Sequence, residues 1–197
     1  MVFLILIILI SLIVILSGGR ISNLKYCNFK LPILVFLALV LKIISISIYS
    51  PVVYLPVMRI SSMVLVIIFI FINFHLKGML LIGLGLISNA LVIFLNGGNM
   101  PANAKYVYLF ASGKELEILR SGQAVGSFIL TSSQTKLSFL GDVFLMPRWI
   151  PLSKLYSIGD ILITIGAIIF LTYYLKKQNN VKSKYMNFSY RKIFYKY

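Results

Sequence analysis

Residues 158–175 read IGDILITIGAIIFLTYYL, and Lys176 and Lys177 close the run. An apolar stretch of this length, wound as an α-helix at about 1.5 Å per residue, covers most of a hydrocarbon core about 30 Å thick. Asp160, in its first turn, is its only charged residue. Four further apolar runs precede it, at 2–17, 32–49, 57–74 and 78–95. The pattern predicts an all-α membrane protein: a bundle of about five transmembrane helices in one polytopic domain, 1–175, followed by a basic tail, 176–197. A compact extracytoplasmic segment, 97–156, lies between the fourth and fifth spans.

Composition agrees, since 60% of the 197 residues are hydrophobic and 12% charged, whereas a soluble domain is about half apolar and a quarter charged. The net charge of +15 sets 19 Lys and Arg against Glu115, Glu117, Asp142 and Asp160. In a soluble protein such an excess would suggest nucleic acid, but here no recognition motif accompanies it and the basic residues sit mainly between and after the apolar runs. Cys27 is the single cysteine, which excludes an intrachain disulfide and a cysteine metal cluster. His75 stands alone in a turn, so no metal or other cofactor is expected.

The loop 18–31 holds three basic residues, the turn 75–77 one and the tail from Lys176 seven, and alternation puts all of them on one side. The positive-inside rule makes that side cytoplasmic. The N-terminus, the turn 51–56 and the segment 97–156 then lie outside. No Lys or Arg precedes the first run, whereas Arg20, Lys25 and Lys30 follow it, which favours an uncleaved helix over a signal peptide. Trp149, among Pro147, Arg148 and Pro151, suits an interfacial anchor. The tail mixes basic residues with Tyr185, Phe188, Tyr190, Phe194, Tyr195 and Tyr197, a composition that fits either a solvated tail or binding to anionic lipid headgroups.

Ionisable groups in or beside apolar runs are costly unless paired or hydrated, so they are the first functional candidates. Asp160 follows Ser157 by three residues, the spacing of a helix cap with an acid in the first turn. Asp142, in Leu140-Gly141-Asp142, lies on the same side, and two neighbouring carboxylates can share a proton and act as base and acid. Glu115 and Glu117 read as part of a solvated turn or short helix. Gly85, Asn89, Val92 and Asn96 share one helical face, a small and polar stripe suited either to helix packing or to lining a cavity. Asn99, Lys42, Arg59 and Arg148 complete the polar side chains available to a ligand.

Gly18-Gly19-Arg20-Ile21-Ser22-Asn23-Leu24, Asn96-Gly97-Gly98-Asn99-Met100-Pro101 and Leu140-Gly141-Asp142 with Ser157-Ile158-Gly159-Asp160-Ile161-Leu162 together resemble the bacterial membrane family catalogued as domain of unknown function 5317. The resemblance covers nearly the whole chain and implies a multi-pass protein of the bacterial cell membrane, with no activity attached. A fainter similarity, to signal peptidase II, would give Asp142 and Asp160 the roles of its catalytic aspartates. Ser157 and Gly159 stand where that motif has Asn and Ala, and its upstream Asn-x-x-Asp-Arg segment is missing. The expected function is therefore a non-enzymatic binding or structural module in the lipid bilayer. An aspartate-dyad membrane hydrolase is the alternative, and a small-solute or lipid transporter a third reading.

Overall fold

A computed structural model describes residues 2–47, 54–109, 111–146 and 155–176. Arg148, Trp149 and the tail beyond Lys176 lie outside the described residues. The chain is mostly helical. Helix α1 (Val2–Leu16) is followed by a 3-10 turn at Ile21–Tyr26, then by α2 (Ile33–Ser47), α3 (Tyr54–Ile72) and α4 (Met79–Leu95). The expected third run begins at residue 57, but the helix already starts at Tyr54 and takes Pro56 into its first turn. Proline is tolerated there because the N–H it lacks would have no intrahelical acceptor.

After α4 the chain builds a small cap. Strand β1 (Met100–Ala102) leads into the short helix α5 (Ala104–Val107) and the helix α6 (Gly113–Arg120), and β2 (Phe128–Leu130) returns to pair in parallel with β1. Asp142 adds a further parallel bridge to Ala102 on β1. Strands β3 (Phe144–Leu145) and β4 (Leu155–Tyr156) then form an antiparallel pair that delivers the chain to α7 (Ile158–Lys176). Among the described residues α7 is the one helix long and apolar enough to cross a membrane, and α1 to α4 are shorter apolar helices.

The helices pack in the order α2, α3, α4, α7, α1. Helix α4 runs antiparallel to α7, and glycines seven residues apart on each let their backbones meet. A Cβ at Gly85 would strike the Gly159 carbonyl oxygen, and one at Gly166 would lie 2.7 Å from the Gly78 oxygen. A seven-residue repeat keeps such contacts on one seam.

Arg20 N–H donates to the Leu175 carbonyl at 2.9 Å, and the Asn23 amide donates to the same oxygen at 2.8 Å. Asn73, fully buried after α3, donates to the Lys30 carbonyl at 2.9 Å and accepts from the Lys30 N–H at 2.8 Å. These bonds gather the loop 18–31, the turn after α3 and the end of α7 at one end of the bundle, around a cluster of Cys27, Phe69, Ile70, Leu76, Met79 and Tyr174. The cap stands at the other end.

Candidate functional site at the junction of bundle and cap

Ser157 and Asp160 close a capping box at the start of α7. The Ser157 hydroxyl accepts from the Asp160 N–H at 3.1 Å, and Asp160 Oδ2 accepts from the Ser157 N–H at 3.1 Å. Aspartate thus completes a motif that more often uses glutamate. The other carboxylate oxygen, Oδ1, accepts from the Asn89 amide at 3.0 Å, and the Asn89 carbonyl oxygen accepts from the Ser157 hydroxyl at 2.9 Å. Asn89 is brought there by the close α4–α7 packing: a Cβ on Gly159 would overlap its side-chain oxygen. Asp160 is thereby held by donors on both oxygens at the helix N-terminus.

Asp142 sits just above this network in the cap. Its N–H donates to the Pro101 carbonyl at 2.8 Å and its carbonyl accepts from the Asn103 N–H at 3.0 Å, so β1 and the residue after it hold its backbone on both sides. Gly141 allows the approach, because a Cβ there would strike the Pro101 carbonyl oxygen. The residue is 7% exposed, and its carboxylate makes no hydrogen bond to a described residue. Burial, then the charge of Asp160, pushes its pKa up to about 7. A carboxyl group in this state can hold or release a proton near neutrality.

Asp142 lines a partly open cavity of about 360 Å³ in the cap. Ala102, Val107, Leu119, Leu130 and Leu155 supply much of an apolar wall, and Glu115 stands on it from α6. Helix α6 is set by a capping box in which the Ser112 N–H donates to Glu115 Oε2 at 2.7 Å. Glu115 is exposed on this short helix, as the sequence reading of a solvated turn or short helix expects. The Ser112-x-x-Glu115 spacing was the available signal for the helix, but nothing local showed that this helix faces Asp142.

The remaining candidates separate by position. Arg59 reaches from α3 to the Gly98 carbonyl at 3.2 Å, Asn99 Oδ1 at 3.0 Å and the Gly126 carbonyl at 2.9 Å. It ties the bundle to the cap through neutral acceptors. Asn96 clamps the Lys136 backbone, donating to its carbonyl at 2.9 Å and accepting from its N–H at 3.0 Å. Lys42 is exposed on α2, whose main packing partner is α3.

A mostly helical chain with one long apolar helix, carrying a small mixed cap with a buried acid against an apolar cavity, is the class that fold and site define. The chain belongs to the family of unknown function DUF5317, which matches residues 23–172. No curated protein and no solved structure matches it.

Proposed function

We propose that the chain is a multi-pass membrane protein with five spans, α1 to α4 and α7, and that its cap is a non-enzymatic binding module on the extracytoplasmic face. Large apolar side chains stand exposed along the helices, among them Leu4, Ile8, Leu12, Ile13, Leu80, Leu84 and Phe94. In water such continuous apolar surface would drive association, whereas lipid solvates it. Helices of 15 to 19 residues reach roughly 22 to 29 Å, which suits a thin bilayer or local thinning around the bundle.

The clustering of Arg20, Lys25, Lys30, Lys77 and Lys176 at the end opposite the cap is the observation that carries the orientation, by the positive-inside rule. Single cysteines in a Cys27→Ser background test it. An impermeant thiol reagent added to intact cells should label Lys114→Cys in the cap and leave Lys184→Cys protected. The reverse pattern overturns the orientation, and labelling of both without a membrane fraction overturns the spans.

Binding is favoured over hydrolysis by the different conditions of the two acids. An aspartate dyad needs both carboxylates on one water, but both oxygens of Asp160 already accept bonds from Asn89 and Ser157, and Asp142 faces the cavity from the cap side. Asp160 serves the helix start, and Asp142 is left for a ligand.

A further inference from the structure

The geometry points to the cap cavity as a site for an organic cation with a compact apolar body, its positive group against Asp142 and its body against Val107, Leu119, Leu130 and Leu155. This assignment rests on the reading of the cap as a binding module and names the chemistry of its ligand. The chain carries 19 basic residues and four acids, and one of those acids, Asp142, is a buried residue of this cavity's wall. A second acid, Asp160, lies close enough for its charge to act on Asp142. Arg59 reaches the Gly126 carbonyl on the wall of the same cavity at 2.9 Å, so it is the single carboxyl of Asp142 set among apolar residues, and not a net negative field, that would draw the cation.

Asp142 itself supplies the second, independent indication. It is more than nine-tenths buried, faces the cavity and has no hydrogen-bond donor among the described residues. A buried carboxylate left in this condition is satisfied by a donor from outside the chain, and an ammonium group offers both charge and N–H donors. A volume of about 360 Å³ accommodates one small molecule with a ring or short chain. The remaining wall is apolar, which selects against small hydrated ions that would have to shed their water for one acid alone.

Isothermal titration of the full chain in nanodiscs, with empty discs as blank, compares three probes of similar shape: 2-phenylethylammonium, 2-phenylethanol and 3-phenylpropanoate. At pH 8 the ammonium probe should bind at least about tenfold more tightly than the alcohol, the order of a charge-assisted bond over a neutral one. Asp142→Asn should remove that preference while keeping the alcohol affinity. Leu130→Trp, which fills the cavity, should weaken all three. Equal binding of cation and alcohol, preference for the carboxylate, or an unchanged cation affinity in Asp142→Asn overturns the cation assignment and leaves the binding reading standing. Failure of all three probes to bind up to millimolar concentration overturns both.

Discussion

The α4–α7 seam and the cap cavity are neighbours, and both hold an aspartate beside apolar surface, but they treat it in opposite ways. In the seam, Gly85 and Gly159 bring two backbones into contact, and Asp160, Asn89 and Ser157 satisfy one another. Nothing can enter. In the cap, Asp142 is fixed by its backbone while its carboxylate faces open volume. The seam spends its polar groups on packing, whereas the cap leaves one unspent, and an unspent buried polar group is where ligand chemistry has room to occur.

The contrast breaks most visibly at the seam. Gly85→Leu would drive a side chain into the Gly159 carbonyl and Ile163, a backbone clash that cannot relax by rotamer change. It should cost more than about 3 kcal/mol and abolish monodisperse protein in detergent chromatography. Gly113→Ala, at a position with nothing within 4 Å of the added Cβ, should leave the profile unchanged. Equal behaviour of the two variants would remove the close seam from the account.

A graded effect separates the two acids by pH. Asp142 holds its proton up to about 7 in the fold but loses it near 4 when unfolded. Between those values the folded chain carries more protons than the unfolded one, so stability is greatest below about pH 4, falls as pH rises to about 7 and is flat above. The full change is on the order of 4 kcal/mol. Chemical denaturation from pH 4.5 to 8 should show this decline in the wild type and a flatter curve in Asp142→Asn. Asp160→Asn, which removes the second cause of the raised pKa, should shift the decline to lower pH.

Asn89→Ala removes one donor and one acceptor and leaves the Ser157 hydroxyl buried without that partner. A loss of about 2 kcal/mol is expected in the same denaturation series. The smallest effect belongs to the cap's own helix: Ser112→Ala breaks the capping box of α6 and should cost about 1 kcal/mol. Because α6 contributes Leu119 to the cavity wall, that variant should also weaken all three probes slightly while sparing the seam.

The elements of the seam were legible one at a time. The stripe Gly85, Asn89, Val92 on one helix and Ser157 with Asp160 at the start of another are local patterns, since helical periodicity and cap spacing depend only on nearby residues. The turn at Gly97 and Gly98, with φ of 67° and 83°, was also readable, because glycine tolerates left-handed backbone. Their convergence was not: Asn89 and Ser157 are 68 positions apart. Arg59 reads as a charge inside an apolar run, and only the fold reveals that it binds three carbonyl-type acceptors in the cap.

Helix positions, the apolar character of each run and the grouping of basic residues follow from the sequence, because backbone hydrogen bonding and hydrophobic periodicity act over one or two turns. Membership of DUF5317 was readable in the motifs at 96–101 and 157–162 and holds over residues 23–172. The fate of the two acids was decided only in three dimensions. Asp142 and Asp160 have similar intrinsic acidity and similar apolar flanks, and what distinguishes them is which donors the packed chain brings within about 3 Å. Two such donors from α4 and the start of α7 reach Asp160. Asp142 receives a cavity instead, and that difference depends on long-range packing that no local pattern records.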